Sequence, residues 1–450
     1  MAGIYIHIPF CRQKCNYCNF FSLATTKFRD EFMHALLREI DLTRDYLGEE
    51  AVETIYFGGG TPSLVSVEQL EEILKKIQDT GCEMNTPPQA PPQKGRGASG
   101  IGHQVSRILN RESRIANRGS IEITLEMNPD DVTPEYLEVL SHSAINRISL
   151  GVQSFFDEDL KYLGRSHDAK QAERAIELIR DTGYGMRDEG RRTKEEGREA
   201  KSEKREARNG TISVDLIYGI PTPTNEHWKE NLQRVIDLGI PHLSAYALTV
   251  EPKTPLSWQI AKEMRYHCHS DPEYPGEAAV SDDPASEQFE ILMDTMEQHG
   301  YIQYEISNFC LPGFESRHNS NYWQGVPYLG LGPSAHSFNG TSRRWNILHL
   351  TSYIQGIQSG SPFFEEEFLT LTQQYNEYIM TSLRTVWGCD LDQIRQRFGE
   401  TFMPYFRRQA IRHLESGLLA KQSGIYTLTR KGKFLADGIA VDLFVVEESS

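Results

Sequence analysis

The segment YIHIPFCRQKCNYC, Tyr5 to Cys18, runs from a strand-forming stretch straight into Cys11, Cys15 and Cys18 at C-x3-C-x2-C spacing. Three thiolates on one short loop make a soft ligand set. Tetrahedral zinc asks for a fourth nitrogen or sulfur ligand, usually from a second C-x2-C pair, and the sequence has no second pair. Three soft ligands without a fourth suit an iron–sulfur cluster in which one iron lacks a protein ligand. An open iron can take a small molecule, so such a cluster is reactive rather than an electron carrier. The plain alternative is three thiols that merely neighbour one another, and so tight a grouping beside aromatic side chains argues against it.

Outward from this loop, short β-like runs alternate with helix-length amphipathic stretches, the pattern of repeated βα units around a parallel sheet. Strands are expected at Gly3 to Ile8, Thr54 to Phe57, Ile121 to Glu126, Arg147 to Gly151, Ile212 to Tyr218 and Leu243 to Leu248. Six units give an α/β fold, a partial (β/α)6 barrel. Ser66 with Gln69 forms a capping box ahead of Leu70, Ile73, Leu74 and Ile77. Thr133 and Pro134 make a cap and first turn, and the stripe Phe289, Leu292, Met293 and Met296 ends at Gly300.

Two segments break the alternation. Residues 84–119 are rich in proline and glycine and then basic, whereas residues 186–208 carry nine basic and seven acidic side chains. Neither can bury enough apolar surface to offset its ordering entropy, so both are expected to be disordered insertions on the face opposite a barrel's site. In the polar stretch 266–284, His267 and His269 flank Cys268, a coincidence rather than a metal site. From about Leu371 the pattern changes to helices at Gln373 to Val386, Leu391 to Phe398 and Phe402 to Glu415, then a hairpin, Leu418 to Leu428, turning at Ser423 and Gly424. This is a winged-helix-like α+β arrangement. Arg407, Arg408 and Arg412 are too modest a basic group for DNA. The expected divisions are residues 1–260 for the barrel, 261–365 for an extension and 366–450 for the winged-helix-like domain.

The 450 residues include no apolar run of 18, so no membrane span is expected. The start, MAGIYIHIPF, lacks a basic region and a cleavage site, which argues against export. Seven cysteines, three of them clustered, fit a reducing cytoplasm. A net charge of −16 repels phosphate backbones and lowers the expectation of nucleic-acid binding.

Polar or glycine residues recur at the carboxyl end of each expected strand, where βα barrels build their sites. Gly58, Gly59 and Gly60 open GGGTPS; Glu126 lies in LEMNPDD, Gln153 in LGVQSF, Asp215 in SVDLIYGIP and Ala247 in AYALTVEP. Glycines let a ligand touch the main chain, and Glu126, Gln153, Arg165 and Asp215 supply donors and acceptors. Any one of these alone is better read as a surface ion pair or strand-end hydrogen bond. Further on, RHNSNYWQG sets His318 beside Tyr322 and Trp323. Imidazole is a common axial haem ligand, although a satisfied core histidine fits those residues equally well.

The cysteine spacing, with Tyr17 directly before Cys18, resembles the radical S-adenosylmethionine (SAM) superfamily. YIHIPF narrows the resemblance to the anaerobic coproporphyrinogen III oxidase-like family. It implies a [4Fe–4S] cluster on Cys11, Cys15 and Cys18, and a SAM site lined by Tyr5, Tyr17, Gly59, Gly60, Thr61, Glu126, Gln153, Arg165, Asp215 and Ala247. Reduction of the cluster would split SAM into methionine and a 5′-deoxyadenosyl radical. HNxxYW, His318 to Trp323, resembles the pattern of the family's haem-chaperone branch and implies haem binding by His318, Tyr322 and Trp323; His336 is a weaker candidate. The decarboxylating enzymes of the family carry a further cysteine where Phe20 stands, and a long N-terminal extension where this chain reaches Tyr5 at once. Both departures favour haem binding and delivery to acceptors such as respiratory enzymes, with dimerisation and peripheral membrane contact implied by relatives. Oxygen-independent coproporphyrinogen III oxidation, a step of porphyrin biosynthesis, is the alternative, and a different radical enzyme is a third reading.

Overall fold

The structure is a computed structural model that describes residues 1–80, 121–182, 211–222, 224–267 and 284–446. The expected insertions 84–119 and 186–208, Cys82 and the loop around Cys268 lie outside the described residues. Six strands follow the chain order side by side and parallel: β1 (Ala2–Ile8), β2 (Val52–Gly59), β3 (Glu122–Met127), β4 (Arg147–Gln153), β5 (Thr211–Tyr218) and β6 (His242–Ala247). Each contains the expected run, extended by up to two residues at an end, apart from β3, which starts one residue later, and β6, which ends one residue earlier.

Alternation along these strands sorts their side chains onto two faces. Ile4, Ile6, Ile8, Ile55, Phe57, Ile123, Leu125, Ile148, Leu150, Val214 and Leu216 point one way and form the core with the surrounding helices. The other face carries Gly3, Tyr5 and His7 from β1, Thr54, Tyr56 and Gly58 from β2, Thr124 and Glu126 from β3, Ser149 from β4, Asp215 from β5, and His242 and Ser244 from β6. Closed barrels fill this space with branched aliphatic side chains. Here it is polar, which marks the lumen as the place for chemistry.

Helix ends match their sequence signals. Ser66 and Gln69 form the capping box of the helix Val67–Asp79, Thr133 caps Pro134–Leu140, and an unforeseen box pairs Asp168 with Gln171 at Ala169–Asp181. Six further strands widen the sheet to twelve. β7 (Ile302–Glu305) and β8 (Asn308–Cys310) add antiparallel to β6; β9 (Tyr328–Leu331) pairs parallel with β1 and leads into the meander β10 (His336–Phe338), β11 (Ser342–Asn346) and β12 (Phe364–Phe368). The division expected at 365/366 falls inside β12.

A second core gathers Tyr375, Ile379, Ile394, Phe406 and Tyr426. It lies between the helices Leu371–Leu383, Leu391–Phe398 and Phe402–Glu415 and a small sheet of β13 (Cys389–Asp390), β14 (Leu419–Gln422) and β15 (Ile425–Leu428). Its hairpin turns at Ser423 (φ 50°) and Gly424 (φ 86°), a left-handed pair that suits the twist of a two-residue loop. This unit covers the β7 edge: Ile306 donates to the Arg384 carbonyl at 3.0 Å, Val386 to the Tyr304 carbonyl at 3.1 Å, and Arg384 pairs with the buried Glu305 at 3.1 Å.

Glu39, fully buried on the helix Arg29–Thr43, ties that helix to the meander. It accepts from Gly332 N at 2.8 Å, Asn346 Nδ2 at 2.6 Å and the Tyr353 hydroxyl at 2.5 Å. Burial raises its pKa to about 7 from an ordinary 4.5. The folded chain therefore holds this proton where the unfolded chain has released it, and the stability that follows is present below pH 4.5 and lost as pH rises through about 7. Between pH 5 and 8, the wild type is expected to lose on the order of 2–3 kcal/mol relative to Glu39→Gln, which has no proton to release. Urea unfolding of both proteins at the two pH values checks this; parallel pH curves would contradict it.

Candidate cofactor site at the strand ends

The cysteine loop follows β1 across the mouth of the lumen. Its path is set by main-chain bonds: Cys11 N to the Leu23 carbonyl at 3.0 Å, Leu23 N to the Pro9 carbonyl at 2.7 Å and Asn16 N to the Leu163 carbonyl at 3.0 Å. The Asn16 side chain adds a bond to the Tyr162 carbonyl at 3.0 Å. Cys11, Cys15 and Cys18 are unpaired and half-buried. Burial pushes the Cys11 and Cys18 thiols up, and the neighbouring sulfurs push them further, so thiolates at these two positions need positive charge to settle. Donors are already aimed at two sulfurs: Thr61 Oγ1 stands 3.5 Å from Cys11 Sγ and Arg165 Nη1 3.3 Å from Cys15 Sγ.

Among the described residues, no three His, Cys, Asp or Glu side chains close around a single ion. A cubane cluster spreads its thiolates over separate irons and asks for a wider set. Donors to the sulfurs and the charge of Arg165 are the surroundings such a set uses. Arg165 Nη2 also bonds Asn128 Oδ1 at 2.7 Å and the Gly151 carbonyl at 2.8 Å, while its buried Nε has no hydrogen-bond partner among the described residues. The residues present therefore fit a cluster with an anionic ligand group beside it.

The glycines of β2 form a cradle. Gly59 has φ 111°, and a Cβ there would meet the His7 ring at 2.6 Å; His7 itself is fixed between the Tyr5 hydroxyl (3.1 Å) and the Phe21 carbonyl (2.8 Å). Gly60 N bonds the Ile8 carbonyl at 2.8 Å and Thr61 N the Phe10 carbonyl at 2.7 Å. Glu126 accepts from the Tyr56 hydroxyl at 2.7 Å and from Gly59 N at 3.1 Å, and burial raises it to about 7. Asp215, with Ser149 Oγ 3.4 Å from both carboxylate oxygens, is raised to about 6, again chiefly by burial. Gln153 holds φ 71° at an irregularity in the β4–β5 ladder, backbone strain of the kind found at ligand sites. Tyr5 and Tyr17 are half-buried and Ala247 is exposed at the end of β6.

His318 lies at the opposite end of the lumen. The helix Arg317–Trp323 begins there, its first amides held by Glu122 (Arg317 N 3.1 Å, His318 N 2.9 Å) and its cap supplied by Ser316. The imidazole bonds Thr54 Oγ1 through Nδ1 at 2.9 Å and stacks on Tyr56 at 5.0 Å. Burial lowers its pKa to about 4, which keeps it neutral. The bond to Thr54 engages Nδ1, which leaves Nε2 as the ring nitrogen for a further ligand. Tyr322 remains 46% exposed, 5.8 Å from Trp323 and 5.1 Å from Tyr328 between ring centres. His336 is exposed on β10. Cys310 and Cys389 are buried in β8 and β13.

Sequence reading missed Tyr56, Asn128, Thr54 and Glu122. Two signals could have found the first two: Tyr56 falls on the same face of β2 as Gly58, and Asn128 lies two residues after Glu126.

A cysteine loop and glycine cradle at the carboxyl ends of six parallel strands define a radical SAM fold. The Radical SAM superfamily matches residues 5–187 and the HemN C-terminal domain residues 369–435. The structure resembles that of coproporphyrinogen III oxidase (HemN) from Escherichia coli, a radical SAM enzyme, with a TM-score of 0.71 at 20% identity over 98% of this chain and 90% of that one. In sequence it is similar to the haem chaperones HemW of Bacillus subtilis (31% identical, 98% of both chains) and Lactococcus lactis (29%, 97% of both). It is also similar to HemW of Escherichia coli (28%, 99% of this chain and 98% of that one). The chain belongs to the haem-chaperone HemW branch of the anaerobic coproporphyrinogen III oxidase-like radical SAM proteins. No helix among the described residues is long and apolar enough to cross a membrane.

Proposed function

We propose that this protein binds haem and delivers it to acceptor proteins such as respiratory enzymes, carrying a [4Fe–4S] cluster and SAM as it does so. The observation that carries this reading is similarity along nearly the whole chain to relatives named haem chaperones. Cys11, Cys15 and Cys18 would hold the cluster, with Thr61 and Arg165 donating to the sulfurs. Gly59 and Gly60 would let the amino-acid end of SAM approach the main chain, while Glu126, Gln153, Arg165 and Asp215 offer groups for its hydroxyls and carboxylate, and Tyr5, Tyr17 and Ala247 line the rest. Once bound and reduced, the cluster would supply the electron that cleaves a sulfonium.

For haem, the reading assigns Nε2 of the neutral His318 as the iron ligand, with Tyr322 and Trp323 offering aromatic surface to the macrocycle. A cytoplasmic location, dimerisation and peripheral contact with membrane-bound acceptors belong to the same proposal. The test is an anaerobic haem titration of the cluster-reconstituted protein. Saturable binding near one haem per chain is expected, with the Soret band shifted and the affinity at least tenfold weaker in His318→Ala. Haem binding no better than to an unrelated protein, or catalytic decarboxylation of coproporphyrinogen, would overturn it.

A further inference from the structure

The two ends of the lumen are joined by one side chain. On the cluster side, Gly59 N and the Tyr56 hydroxyl share the carboxylate of Glu126, at 3.1 Å and 2.7 Å. On the other side, the Tyr56 ring stacks on the His318 imidazole, centroids 5.0 Å apart and planes inclined by 29°. His318 is held in that stack by Thr54 at 2.9 Å, and Tyr5 lies against Tyr56 at 6.1 Å, so neither ring is free to turn away. Glu126 and Thr54 stand on neighbouring strands, which fixes the whole set to the sheet.

We propose that Tyr56 is a positioning residue that couples the two sites, so that SAM held at Gly59 to Thr61 strengthens haem ligation by His318, and haem in turn strengthens SAM binding. This inference rests on the haem reading of His318 above. The sign follows from the contacts. A ligand donor reaching Glu126 favours its charged form and tightens the Tyr56–Glu126 bond. That bond draws the phenolic proton toward the carboxylate and enriches the ring in electrons. An imidazole bound to iron carries more positive character than a free one, and it is stabilised over an electron-rich face. Linkage makes the effect equal in both directions.

Tyr56→Phe keeps the stack and removes the hydroxyl, so it isolates the link. The cluster-reconstituted full chain, with its cluster oxidised, is titrated with haem in the absence and presence of saturating SAM. In the wild type, SAM is expected to lower the haem dissociation constant about fivefold or more. In Tyr56→Phe, the change is expected to be less than about twofold, and because each protein is compared with itself, any effect on either affinity alone cancels. An equal SAM effect in both proteins, or none in the wild type, overturns the proposal. A second readout needs no haem: in 13C-histidine-labelled protein, the His318 Cε1–Hε1 resonance, assigned with His318→Gln, is expected to move on SAM addition in the wild type and to stay in place in Tyr56→Phe. A resonance unmoved in the wild type sinks the link even if haem binds at His318. A resonance that moves in a protein that binds no haem supports the link and removes the haem reading instead.

Discussion

Gly60→Ala is expected to abolish SAM binding and to cost the fold about 2–4 kcal/mol. A Cβ at this position would lie 2.6 Å from the Phe10 carbonyl oxygen, 2.9 Å from that of Ile8 and 3.0 Å from the Phe10 carbonyl carbon. All three are main-chain atoms, and no rotamer change relieves the clash. The same few residues carry the bonds from Gly60 N to Ile8 (2.8 Å) and from Thr61 N to Phe10 (2.7 Å), which pin the end of β2 to the strand that delivers Cys11. Opening them shifts both halves of the site at once. Iron content after reconstitution, equilibrium dialysis with SAM and a thermal melt test this together. A variant that binds SAM with wild-type affinity would show that the loop can yield, contrary to the argument.

Cys15→Ala is expected to produce a chain of unchanged fold that holds no stable cluster. Iron after anaerobic reconstitution should fall from about four atoms per chain to below about one, and SAM affinity should fall with it. The thiol is half-buried on a loop whose path is set by main-chain bonds, and its sulfur accepts from Arg165 Nη1 at 3.3 Å. Removing it leaves the core untouched, so the stability change should stay within about 0.5 kcal/mol. Iron analysis, the visible absorption of the reconstituted protein and its circular dichroism separate the two halves of the expectation. A variant that keeps a full complement of iron would mean that Cys15 is not a ligand.

The C-x3-C-x2-C loop, the six strand runs and the caps at Ser66 and Thr133 could be read directly because each is a local pattern. Spacing, alternation and capping act over a few residues, and the helix Phe402–Glu415 and the Ser423–Gly424 turn were legible for the same reason. The strands β7 to β12 were not read, since runs of three to five residues show too little alternation to stand out from loops. Gln153 carries no sign in its residue type of the left-handed backbone it adopts, which comes from the irregular register between β4 and β5.

The sequence by itself determined the three-cysteine loop, the parallel βα scheme and the polar residues at the strand ends. Only the tertiary structure decided which of those residues meet. Thr54 and His318 are 264 residues apart and Tyr56 and Glu126 are 70 apart, yet both pairs are in hydrogen-bond contact. The reason is that strand register and sheet curvature are set by packing summed over the whole core, a long-range quantity that no short stretch of sequence carries.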